Sequence, residues 1–377
     1  MDARGNDERG KAERGTDARG TSTDRVSPFA APVLWGMRRM GRWFALVPFA
    51  LVLLLSWAWL SLLDTRPIWF LVLALPFVPV ALAATALVLG MVFATARPSA
   101  GKGIEPDEAP ELWAMVREAF GPRSRVRLFA SGEPNASVRS WRGPLPGTRD
   151  RTDLVLGLPL LAALDREAFD AVIRHEAAHV HFKDTNGSRN VGEFYECFAF
   201  VFDFAPPDET VLGTLILFAL EDFAALTHRA EMTLSRRAEL RADRAAAAGG
   251  CGAATARALK LVSVVAAFHE REILEHLDRE LLGAVGPVAS PYERLMRRMD
   301  ELADDTLRER MWQQALAAPR EPDASHPSAG ERLAALDENL APPPWPFDRV
   351  LPHVVPPKLR LVVEEEIGNG WRDRFED

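Results

Sequence analysis

Two histidines and three acids at helical spacing are the residues in this sequence best placed to do chemistry. His175-Glu176-Ala177-Ala178-His179 puts two imidazoles at i and i+4. On a helix those positions share one face about a turn apart, so both rings can reach one metal ion at about 2.0–2.1 Å. Glu176 follows the first histidine and points beside such an ion, where it can take a proton from water. A catalytic zinc site also wants a third protein ligand and an open position. The stretch Ser235-Arg236-Arg237-Ala238-Glu239-Leu240-Arg241-Ala242-Asp243 offers Glu239 and Asp243 on one helical face. Glu239 is expected to bind the metal. Asp243, one turn on, is expected to accept a hydrogen bond from a ligand histidine and fix its tautomer. Together they describe one zinc ion per chain, held by His175, His179 and Glu239, with Glu176 placed to take a proton from zinc-bound water.

These side chains need elements to hold them. Asp165 to Asp184 reads as a helix with Asp165 as N-cap and an apolar stripe of Phe169, Val172, Ile173 and Val180. Residues 107–120 read as an amphipathic helix bearing Leu112, Met115, Val116 and Phe120. Arg125 to Ser131, Asn135 to Trp141 and Thr152 to Gly157 are strand candidates, and helices dominate from Asp165 onward. A Pro-rich break runs from Ala341 to Pro346, and Lys358 to Val363 is one more strand candidate. Phe194 to Phe204 and Thr210 to Leu220 are apolar runs of about 11 residues, bounded by acids and too short to cross a bilayer. They are expected to be buried helices or a lip dipping into the interface.

Composition narrows the class. The 377 residues are 48% hydrophobic and 26% charged, as in a folded protein, which excludes a wholly disordered chain. A net charge of −8 argues against a nucleic-acid partner. Two cysteines, Cys197 and Cys251, exclude a disulfide scaffold and an all-cysteine zinc site, so histidines and carboxylates must hold any metal. Residues 43–63 and 67–95 carry no charge, and each run is long enough to span as a helix, so they form a transmembrane hairpin in the lipid bilayer. Pro76 and Pro79 are expected to kink the second span. Arg38, Arg39 and Arg42 precede the hairpin and Arg97 and Lys102 follow it, which places both ends in the cytoplasm. Residues 1–27 repeat Arg-Gly with balanced charge and are expected to form a disordered, solvated tail. His181 projects off the metal face, and His269 with His276 are expected to be packed or exposed. Gly249-Gly250-Cys251-Gly252 reads as a helix-ending loop.

In ordered blocks from about 104 to 340, the sequence resembles the membrane-associated zinc metallopeptidases related to the heat-shock protease HtpX and the CaaX prenyl protease. The blocks are Pro134-Asn135-Ala136, Leu156 to Leu161, Phe169 to Ile173, His175-Glu176-x-x-His179 followed by Asp184, Ser235 to Ala246, and His326-Pro327-Ser328 with Glu331-Arg332-Leu333. Ala178 stands where that family usually has glycine. The resemblance implies a mostly helical α+β zincin of the gluzincin type with a small sheet, at 104–340, and leaves 341–377 as a C-terminal extension. It implies that His175, His179 and Glu239 bind zinc, that Glu176 is the base, and that Asp243 supports a ligand. It further implies that Asn135 and Ala136 lie on an edge strand that binds substrate, and that His326 or Arg332 steadies the oxyanion. The implied protein is a multi-pass metalloendopeptidase of the inner membrane with a cytoplasmic catalytic domain. Its substrates are peptides or proteins, with membrane-protein quality control as a role. The reading from a different class is a catalytically silent membrane scaffold. An intact Glu176 argues against it, because a scaffold has no need of a base there.

Overall fold

The computed structural model describes residues 30–93, 101–141, 150–281, 288–318 and 326–373. The Arg-Gly tail and Arg97 lie outside the described residues. The uncharged runs fold as helices, which satisfy every backbone amide without water. Ala30–Met40 (α1) leads through a tight turn at Gly41–Ala45 into Leu46–Leu60 (α2) and the short Leu62–Thr65 (α3), and Pro67–Phe93 (α4) returns, with Pro76 and Pro79 inside it. Then come Lys102–Ile104 (β1), Pro110–Phe120 (α5), Val126–Ser131 (β2), Ala136–Trp141 (β3) and Arg151–Gly157 (β4). Next are Leu158–Ala163 (α6), Arg166–His181 (α7), Asp184–Glu196 (α8), Ala199–Phe204 (α9), Val211–Ala247 (α10) and Gly252–Phe268 (α11). After a π-turn at His269–Leu274 follow Glu275–Leu281 (α12), Pro291–Arg298 (α13), Asp305–Ala317 (α14), Ala329–Ala334 (α15), Leu351–Val354 (α16) and Pro357–Arg372 (α17). The chain is a mostly helical α+β protein with one small mixed sheet, as expected.

Among the described residues, three stretches are long and apolar enough to cross a membrane: Ala30–Thr65, Pro67–Phe93 and Val211–Gly250. None of α2 is buried, and Leu51, Leu54, Trp57, Leu71 and Leu75 stand exposed. Each such side chain forfeits about 1.5–3 kcal/mol in water, so this surface calls for lipid. Trp59 stacks on Phe70 at 4.5 Å and donates its indole N–H to the Phe70 carbonyl at 3.0 Å, which pins α2 to α4. The other end of the hairpin is clothed in protein. Leu34 and Met37 of α1 and Leu87 and Met91 of α4 form one buried cluster with Val191 and Phe194 of α8 and with Phe198 and Val201. A Cβ added at Gly90 would collide with the Cys197 carbonyl, so glycine permits this approach of α4.

In the sheet the order is β1-β2-β4-β3, with β2 and β4 parallel and the outer pairs antiparallel. β3 is therefore an edge strand. Gly157 N–H donates to the Asn135 carbonyl at 2.8 Å, so that opposed pair is hydrogen-bonded. Alternation along the ladder then turns the backbone polar groups of Ala136, Val138 and Ser140 away from β4. Gly157 also lies under the Glu133 carbonyl, which an added Cβ would strike. Gly157→Ala is expected to cost about 1–3 kcal/mol by forcing the β2–β3 turn off β4. Thermal unfolding in detergent checks this, and an unchanged Tm would contradict it.

The main core joins Leu112 and Val116 of α5, Leu128 and Leu156 of the sheet, Phe169 and Ile173 of α7, and Leu261 of α11. Val350, Val354, Leu359 and Val363 enter the same cluster, so the chain beyond the Pro-rich break completes this core. Lys358 to Val363 is a helix and not the expected strand. Leu359, Leu361 and Val363 alternate as in a strand, but Leu359, Val363 and Ile367 also recur every four residues. The second pattern wins because it docks on the core, leaving Leu361 exposed. The apolar runs after α7 differ from expectation too. Phe194 belongs to α8, α9 is short, and Thr210 caps one continuous helix of 37 residues. Glu221 and Asp222 ride on its exposed side without ending it, since neither acid breaks a helix as glycine or proline does.

Candidate metal centre

Helix α7 is fixed at its start and ended by a sharp turn. The Asp165 carboxylate accepts from the Ala168 amide at 2.9 Å, a cap worth about 1 kcal/mol. Arg257 of α11 clamps that carboxylate at 2.8 and 3.0 Å. The helix stops at His181, short of the expected Asp184, because Lys183 takes the left-handed conformation at φ 62°. Against α7 lies α10, whose buried face is Ala238, Glu239, Ala242, Asp243 and Ala246. Ala177 and Ala178 of α7 are buried too, and small residues such as the α10 alanines permit close helix packing.

The close crossing brings the two motifs together. His175 Nε2 and His179 Nε2 are 3.1 Å apart. Glu239 Oε2 is 3.5 Å from His175 Nε2, and Glu239 Oε1 is 3.4 Å from His179 Nε2. A tetrahedron with bonds of about 2.0–2.1 Å has edges of about 3.4 Å, close to the approach of each ring to a Glu239 oxygen. Behind them, His175 Nδ1 meets Asp243 Oδ1 at 3.0 Å and His179 Nδ1 faces Asp184 Oδ2 at 3.5 Å. Placing the proton on each Nδ1 leaves both Nε2 lone pairs aimed at one point. Two lone pairs and a carboxylate at such separations repel unless a cation lies among them.

Charge tells the same story. Burial works against an imidazolium at His179, yet hydrogen bonds with Asp184 and Glu239 outweigh it and raise the ring to about 10. At His175 burial again opposes, and Asp243 and Glu239 again win, so the ring is raised. Glu239 is held far below the carboxylate range: burial resists, but the three histidines and Arg332 prevail. Burial pushes the Glu176 carboxyl up against the pull of His175 and His179. The pocket is rich in acid and binds protons where a dication would serve. Among the described residues, His175, His179 and Glu239 are the group whose donor atoms converge, all within 4.8 Å of one another.

These residues open on a cleft of about 830 Å³, walled on one side by β3. A model of peptidase family M48 matches residues 124–340, more than half of the chain. The chain belongs to peptidase family M48. This family consists of metallopeptidases that are zinc-dependent in general. The chain is also similar to the crystal structure of Ste24p from S. mikatae, with 16% sequence identity and a TM-score of 0.32. That match covers 81% of this chain and 66% of the other, just under two thirds of its length.

The remaining expected site residues of this M48 peptidase fall around the cleft. His326 Nδ1 is 3.1 Å from Glu239 Oε1, with its side chain 66% exposed. Arg332 grips Asp243 through two nitrogens at 2.8 and 2.6 Å and reaches Glu239 at 3.5 Å. The capping box of Ser328 and Glu331 sets the helix that carries Arg332. Asn135 and Ala136 line the cleft; Asn135 lies just before β3, and its side chain accepts from the Ala136 amide at 2.8 Å. His181 is exposed away from the cluster, and His269 is buried while His276 is exposed. Sequence reasoning noted the spacing of Asp184 but gave it no role, and it missed Arg241. Arg241 holds Asp184 Oδ1 at 2.5 Å and lies 4.9 Å over the Phe182 ring. The other Asp184 oxygen is buried and faces His179 Nδ1 across 3.5 Å. An acid five positions past the second histidine was the signal available.

Proposed function

We propose that this chain is a membrane-anchored zinc metalloendopeptidase. The observation that carries the reading is the convergence of the His175, His179 and Glu239 donors, all within 4.8 Å of one another, with the buried Glu176 carboxylate beside them. When bound, zinc supplies Lewis acidity, polarising the scissile carbonyl and lowering the pKa of water toward about 7. Glu176 accepts the proton of the attacking water and returns it to the leaving amine, a task suited to a carboxyl whose pKa burial has raised. Asp243, itself clamped by Arg332, fixes the His175 ring, and Asp184 does the same for His179. His326 stands at the exposed rim, where it can donate to the developing oxyanion. Arg332 is mainly committed to Asp243 and acts there as a positioning group. The outward-facing Ala136 carbonyl and the backbone of Val138 hold the substrate extended by adding a strand to β3.

The proposed organisation keeps the hairpin at 43–95 and the peptidase domain at 104–340, with the segment 341–377 packed into that domain's core through Val350, Val354, Leu359 and Val363. Arg38, Arg39, Arg42 and Lys102 favour a cytoplasmic catalytic domain in a multi-pass inner-membrane protein. Cleavage of membrane proteins for quality control is the proposed role.

Metal analysis and casein cleavage by the detergent-solubilised protein test the reading. About one zinc per chain is expected, with cleavage lost to a chelator and restored by zinc. Protein that binds no zinc would refute it. Asp184→Asn and Arg241→Ala are expected to weaken zinc binding by about 10–100-fold each, the usual effect of losing a group that orients a ligand histidine. Chelator competition measures this, and wild-type affinity in both variants would remove the clamp from the site.

A further inference from the structure

Among the described residues, no carboxylate pairs with Arg38 on the cleft wall. Arg38 comes from α1, yet its guanidinium lies flat over Gly187, where any added Cβ would strike it. The missing side chain of Gly187 is what makes this seat. Arg38 is half-buried and lines the same cavity as His175 and Glu176. The seat adjoins the end of β3, since Ser140 and Thr185 meet there through their hydroxyls at 2.7 Å. Arg139 on β3 also lines the cavity and rests 4.6 Å over the Trp141 ring.

The acids at this end already have cations. Asp184 holds Arg241, Asp150 holds Arg189 at 2.7 Å, and Glu193 faces Arg42 at 3.4 Å and Arg189 at 3.7 Å. Glu196 and Glu231 also line the cavity. Glu196 is nine residues past Gly187, about 13 Å along the helix. The first-turn amides of α8 add partial positive charge at the same place. Arg39, the next residue, is exposed and free to meet lipid headgroups, whereas Arg38 turns inward.

We propose that Arg38 forms a carboxylate-binding subsite, so that the cleft favours peptides carrying an Asp or Glu side chain away from the scissile bond. This rests on the peptidase reading and names its substrate class. A partly desolvated, two-pronged guanidinium–carboxylate pair is among the stronger polar contacts available to a peptide.

The test uses the full chain as its Glu176→Gln variant in phosphatidylcholine nanodiscs. It measures binding of fluorescent apolar decapeptides with Glu, Gln or Lys scanned through each position. At one register Glu is expected to bind about 10-fold tighter than Gln, with the advantage shrinking at high salt. Adding Arg38→Gln should bring the Glu/Gln ratio close to one, and Arg38→Glu should turn the preference toward Lys. The subsite is wrong if no register favours Glu before Arg38 is changed, or if the ratio survives Arg38→Gln. Arg38-dependent binding of phosphatidylglycerol without any peptide preference would also overturn it, assigning the group to lipid. Cleavage of the same peptides by zinc-loaded protein with Glu176 intact separates the two readings. Arg38-dependent binding without cleavage sinks the peptidase and keeps the subsite, whereas cleavage without a Glu preference sinks the subsite alone.

Discussion

Replacing Glu176 with glutamine is expected to lower kcat for peptide hydrolysis by about 10³–10⁴-fold while zinc content stays at the wild-type level. The change keeps the size and most of the hydrogen bonding of the side chain but removes its ability to take a proton. Glu176 is buried, 8% exposed, beside the two histidines, so no other carboxylate can slip into its place without displacing a donor. The neutral amide also spares the pocket one negative charge, which favours folding. The double readout is decisive. Cleavage near the wild-type rate would show that the base lies elsewhere, and lost zinc would show that Glu176 supports the metal instead.

A different failure is expected from Glu239→Ala. This carboxylate sits among His175, His179, His326 and Arg332. Without it, one of three donors is gone and a cluster of cationic or proton-hungry groups loses its counter-charge. Zinc affinity should fall by more than the roughly 10–100-fold typical of an orienting group, and activity should fall with it. Glu239→Asp keeps the charge but shortens the reach, so it should retain part of the charge balance and little of the metal. Chelator competition and kcat/KM measured together check the pair of variants. Full zinc occupancy in Glu239→Ala would remove this residue from the ligand set.

The site was legible in the sequence to the extent that helices convert spacing into geometry. His175, His179, Glu239 and Asp243 could be placed on faces because i and i+4 share a face wherever the helix runs. The meeting of the two helices was less legible, and it depends on a run of alanines that lets them cross closely. The Asp184 clamp was hidden for another reason. It exists only because Lys183 takes a left-handed conformation that swings the next carboxylate back toward His179, and nothing in the identity of a lysine announces that. Lys358 to Val363 fits two periods at once, and only tertiary packing chooses between them. The acids at 221 and 222 looked like the end of an apolar segment, but a long helix carries charge on one side without breaking.

The buried seam between the paired N-terminal helices and α8 sets a practical limit on how the protein can be handled. Val191, Phe194, Phe198 and Val201 are shielded by Leu34, Met37, Leu87 and Met91, and Glu193 is neutralised in part by Arg42. A fragment trimmed at the membrane boundary to gain solubility would bare this greasy patch next to the segment that touches His179. Clumping and a slack zinc pocket in such a fragment would then be artefacts of the cut, and assays on it would misjudge the intact molecule.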